Sequence, residues 1–155
     1  MRFLALLLLS ASCFGQARPD PAKTPGAIRT SDATELCAKS FRTKKWRIAT
    51  EETKKKVCAA YGVKDCPKKN AMELDDLVAL EIGGENVEGN LWVQMAPEYH
   101  FKDKLENKLK KLVCAQPTDE LKDALLIEAQ QEIRTDWVAA YRKYVGKLPQ
   151  QKESE

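Results

Sequence analysis

Between Glu73 and Ile82 the chain reads as a strand, and this stretch limits the possible folds more than any other. Leu74, Val78, Leu80 and Ile82 alternate with smaller or more polar neighbours, the period-two pattern of a strand with one buried face. Asp76 falls on the same side as these apolar residues. A carboxylate facing inward is costly, so its presence suggests that something there uses it. Gly83-Gly84 ends the strand and reads as a turn and nothing more. Glu85 to Gly89 reads as a polar loop, and Leu91 to Met95 as a second short strand. The prediction is a small hairpin.

Helices flank it. Thr50 to Tyr61 has Thr50 as N-cap, Glu51 and Glu52 at the positive end, and Gly62 as the stop. From Pro97 to about Ala115, Phe101, Leu105, Leu109 and Leu112 recur at helical spacing, and Pro117 breaks the pattern. Thr118 to Tyr144 forms another helix, with Leu126, Ala129, Ile133, Trp137, Tyr141 and Tyr144 on one side. Trp137 and Tyr141 read as core residues, not as a platform for stacked bases.

The first 17 residues stand apart. Arg2 precedes the apolar run Phe3 to Leu9, which is too short to span a bilayer. Gly15 and Ala17 suit the −3 and −1 positions of a signal peptidase site, making 1–17 a signal peptide and the mature chain secreted or periplasmic. A cut before Cys13 would instead make a lipoprotein, but Ser10 disfavours it. Residues 18–34, with Pro19, Pro21, Pro25 and Gly26 and few apolar side chains, are expected to form a flexible leader. Residues 35–146 are expected to form one domain, and 147–155 a frayed tail.

Loss of the signal removes Arg2 and takes the net charge from +3 to +2, too small a bias to imply an anionic partner. The basic residues are nevertheless clustered: Lys44, Lys45 and Arg47; Lys54 to Lys56; and Lys102, Lys104, Lys108, Lys110 and Lys111. They read either as solvated helix surfaces or as a phosphate-facing strip. The mature chain keeps Cys37, Cys58, Cys66 and Cys114, an even number that suits two disulfides in an exported chain. The favoured pairing is Cys58–Cys66 with Cys37–Cys114. No C-x-x-C pair supports a zinc site.

Several phrases taken together resemble exported bacterial HNH (ββα-metal) endonucleases. They are Glu73-Leu74-Asp75, Leu80-Glu81-Ile82-Gly83-Gly84, Asn90-Leu91-Trp92, Lys102-Asp103 with Leu105-Glu106-Asn107, Leu112-Val113-Cys114, and Ala129-Gln130 with Asp136-Trp137. The likeness runs from about Cys37 to Tyr144. It implies an α+β fold in which a ββα-metal hairpin and helix are wrapped by further helices. It also implies phosphodiester hydrolysis of DNA or RNA assisted by Mg²⁺, Mn²⁺ or Zn²⁺.

Carried over residue by residue, the resemblance makes Asp75 and His100 the metal ligands and Asn90 the residue that orients the general base. Asp76 occupies the place of that base, where the family has His, and Lys110 stands where relatives often show another His. An ordinary Asp, with a pKa of about 3.9 against about 6.5 for His, holds a transferred proton poorly at neutral pH. On a regular strand Asp75 and Asp76 also point to opposite sides. The resemblance therefore implies an endonuclease with an altered or compromised site, or a non-catalytic exported domain that binds nucleic acid or protein on a degenerate scaffold.

Overall fold

The computed structural model describes residues 18–64 and 71–148. The expected signal peptide and Cys66 lie outside the described residues. The described elements, in chain order, are α1 (Ala33–Cys37), α2 (Glu51–Ala60), β1 (Met72–Asp76), β2 (Leu91–Met95), α3 (Glu98–Cys114) and α4 (Asp119–Tyr144), with short 3-10 turns between them. The architecture is α+β.

The hairpin forms, but its first strand is shorter than expected. β1 pairs antiparallel with β2, with Asp75 opposite Trp92 and Asp76 opposite Leu91, and the ladder stops there. Leu77 to Ala79 leave the sheet and Leu80–Ile82 coil into a 3-10 turn. All of Leu77, Val78, Ala79, Leu80 and Ile82 are buried, so the apparent alternation masks an unbroken apolar run from Leu77 to Leu80. Asn90 ends the ladder. Its side chain accepts from Val78 N at 3.0 Å and donates to Val78 O at 2.8 Å, taking the backbone groups a longer strand would have paired.

The glycine pair does more than turn the chain. Gly83 has φ +89° and lies against the backbone of Thr30, while a Cβ on Gly84 would sit 1.8 Å from Val78 O. Two chain segments touch here at a distance that only glycine permits.

Residues 18–34 do not behave as a flexible leader. Gly26 N donates to Gly89 O, Arg29 N and Thr30 N to Gly83 O, and Glu85 N to Ala27 O. Thr24 is 1% exposed and donates to Leu91 O at 2.9 Å. Gln130 of α4 donates to Thr30 O and Ile82 O, both at 2.8 Å, and accepts from Ser31 Oγ. These bonds satisfy backbone groups without needing apolar side chains. The far end also departs from expectation: Leu148, placed in the tail, is 7% exposed and packs on the core.

The helices follow their caps. Thr50 Oγ1 accepts from Thr53 N and Thr118 Oγ1 from Leu121 N. Helix α4 is broken at Asp136 (φ −161°, ψ 95°), whose carboxylate accepts from Val138 N and Ala139 N. Asp136 thus caps a second helix inside the first. Arg18 grips the same carboxylate through two bonds of 2.9 and 2.8 Å. Trp137 and Tyr141 are buried, as core residues should be, with Trp92, Leu105, Leu109, Leu126 and Ile133.

Cys37 and Cys114 form a disulfide that ties α1 to the end of α3. Cys58 is also disulfide-bonded, but the expected pairing with Cys66 falls outside the described residues. No helix among the described residues is long and apolar enough to cross a membrane.

Candidate functional site

Cross-strand partners share a face, so the hairpin divides its polar residues between two sides. Asp75 and Glu73 lie with Trp92 and Gln94 on the side of α3. Leu74 and Asp76 lie with Val93 and Leu91 on the side of α2. Two concavities follow. A cleft of about 1110 Å³ between α2 and the hairpin has Arg47, Lys54, Lys55 and Lys64 in its walls, with Leu74, Leu91, Asn86 and Asp76 deeper in. A smaller depression of about 340 Å³ beside it is acidic, lined by Glu73, Asp75, Glu81, Asp103 and Glu106. Arg47, Leu74 and Asp76 belong to both.

Asp76 faces inward as its register predicted, and is 5% exposed. Burial pushes its carboxyl up to about 6, against the pull of hydrogen bonds from Asn86. Asn86 Nδ2 reaches Oδ1 and Oδ2 at 3.2 and 3.4 Å. Asn90 Nδ2 also approaches Oδ1, at 3.4 Å, but its shorter bonds go to Val78 O and Glu85 O. Asn90 is therefore chiefly a loop-closing residue, and Asn86 is the nearer amide to Asp76. Asn86 escaped notice in the sequence because a polar residue in a polar loop carries no signal of direction.

Asp75 is engaged by Lys102, whose Nζ donates to its Oδ2 at 2.7 Å, to the main-chain oxygen of Asp76 and to Glu106 Oε1. Lys102 is 1% exposed, so its assignment to a solvated helix surface or a phosphate-facing strip is overturned. Burial alone would lower its pKa, but the attraction of Asp75 and Glu106 prevails and raises it above the ordinary lysine value. Burial disfavours the charge on Glu106 while the Lys102 ammonium against it favours that charge, and burial pushes Glu73 to about 7 with help from repulsion by Asp75 and Asp103. The clue to Lys102 was present in the spacing. Lys102, Leu105, Leu109 and Val113 mark the inward stripe of α3, whereas Phe101 and Leu112 sit at its margins.

His100 is exposed on α3, its ring 4.2 Å from that of Tyr99, and it lines neither concavity. Asp75 and His100 are thus not assembled as a metal-ligand pair. Among the described residues no three His, Cys, Asp or Glu side chains are grouped to hold a metal ion. Of the ligands implied by the resemblance, Asp75 is already held by Lys102, which also bonds Glu106. Lys110, in the other variant position, is half-buried and donates to Leu36 O.

Comparison with family models, curated proteins and solved structures returned no match.

Proposed function

We propose that the protein is an exported nucleic-acid-binding domain on an HNH-like scaffold in which phosphodiester hydrolysis is compromised. One observation carries the reading: a cleft with Arg47, Lys54, Lys55 and Lys64 in its walls leads down to the carboxylate of Asp76, at the position the resemblance gives to the general base. The basic walls suit a phosphate chain, since each neutralised phosphate releases counterions. Lys54 does pair with Glu51 across the helix surface at 2.6 Å, but so exposed a pair is weak and yields readily to a phosphate. An anionic side chain deep in the cleft repels the scissile phosphate where a histidine would assist it. The Cys37–Cys114 disulfide supports export into an oxidising compartment.

The second reading, an active endonuclease with Asp76 as an unusual base, draws its support from the hairpin itself. β1, β2 and the following α3 have the order the resemblance implies, with Asn86 and Asn90 amides on the Asp76 carboxylate.

One set of measurements separates them. Fluorescence anisotropy with labelled single- and double-stranded DNA and RNA should show binding that weakens steeply as salt rises from about 50 to about 200 mM. Lys54→Glu with Lys55→Glu should cost at least tenfold in affinity. Plasmid nicking with Mg²⁺, Mn²⁺ or Zn²⁺ should be absent in the natural protein. Nicking that is present and lost in Asp76→Asn establishes the enzyme instead, and salt-insensitive or absent binding removes the nucleic-acid reading.

A further inference from the structure

An ammonium group has three N–H donors and no acceptor. Lys102 Nζ meets three oxygens, from the Asp75 carboxylate, the Asp76 main chain and the Glu106 carboxylate, and is shut away from water by α3 and the hairpin. Every donor has a partner, and each carboxylate has given an oxygen to the same centre. Two carboxylates and a carbonyl gathered around one point are hard oxygen donors of the kind that hold Mg²⁺ or Mn²⁺. Here a side chain of the protein itself stands at that point.

We infer that Lys102 is a built-in cation, filling an oxygen-lined position between β1 and α3 and excluding divalent metal from it. The arrangement is self-contained, because both carboxylates and the lysine belong to one chain, and Lys102 and Glu106 sit one helical turn apart. A tethered ammonium competes at very high local concentration, so a free ion must displace it before either carboxylate becomes available. Lys104, Lys108 and Lys111 on the same helix cannot substitute, since they are exposed on its other faces. The inference concerns ion binding alone and stands whether or not the basic cleft takes nucleic acid.

Titration of the natural protein with Mn²⁺ near neutral pH, followed by electron paramagnetic resonance and calorimetry, should reveal no site that depends on Asp75. Lys102→Ala vacates the centre and should create such a site, at least tenfold tighter than any Mn²⁺ binding of the natural protein. Adding Asp75→Asn should abolish it. If Lys102→Ala folds only when Mn²⁺ is added, judged by circular dichroism, that too supports the inference, since the ion then replaces the lysine. A natural protein that binds Mn²⁺ tightly and loses it in Asp75→Asn overturns the inference, as does a folded Lys102→Ala that binds no better than its parent. If Lys102→Ala stays unfolded throughout, the comparison of the natural protein with Asp75→Asn decides.

Discussion

Asp76 shows how one residue can be legible in place and illegible in consequence. Its inward direction followed from the period of the strand, and it is buried as expected. Its proton affinity did not follow, because that depends on Asn86 and on the closure of the cleft by α2. Burial has moved the carboxyl from the ordinary Asp value up to about 6. The folded protein therefore binds more protons than the unfolded chain between about pH 4 and pH 6, and stability falls as pH rises through that window. The cost is complete above it, and a rise of this size corresponds to about 3 kcal/mol at most. Asp76→Asn keeps an oxygen for the Asn86 amide but removes the charge. It should stabilise the protein by about 1–3 kcal/mol near pH 8 and by almost nothing near pH 4, read by urea denaturation at both. Equal effects at the two values would refute the burial argument. Lys102 was legible only in part: its spacing with Leu105, Leu109 and Val113 marks the inward stripe, but its partner Asp75 lies on another element, 27 residues away.

At the level of elements, helix ends were readable because their chemistry is local. Thr50 and Thr118 cap the helices that follow them, and Gly62 follows α2 with φ +75°. The end of β1 was not readable, since it is set by Asn90, twelve residues beyond Val78. The break in α4 was hidden as well: Asp136 interrupts an apolar spacing that continues across it. The glycine pair was undervalued because a turn and a close crossing of two backbones are written with the same letter. Gly84→Ala would drive a methyl into Val78 O, which belongs to the backbone and cannot swing aside. The expected cost is about 3 kcal/mol or more, at the upper end for overpacking. Guanidinium unfolding would measure it; a loss below about 1 kcal/mol would mean that the loop shifts freely.

For the whole molecule, the α+β class, the hairpin order and the Cys37–Cys114 pairing were legible, while the placement of residues 18–31 was not. That segment is held by main-chain bonds and by Thr24 and Gln130, and main-chain bonds leave no mark on composition. The candidate site was half legible. The burial of Asp76 emerged, whereas the bonds of Asn90 to Val78 and Glu85, the exposure of His100 and the hold of Lys102 on Asp75 did not. The disulfide closes a span of 77 residues between α1 and α3. Replacing both cysteines by serine should cost about 4 kcal/mol, chiefly by freeing the unfolded chain. Thermal unfolding of the paired variant against the parent would check this; an unchanged midpoint would mean that the link constrains little.

The grip of Arg18 on Asp136, across 118 positions of sequence, sets the order of events during synthesis. The stretch from Arg18 onward leaves the ribosome 118 residues before its partner at the break in α4 is made. That stretch must wait unclasped until α4 arrives, so the native clasp forms only after the chain through Asp136 has emerged. Pausing or truncation before Asp136 would strand the opening stretch without its anchor.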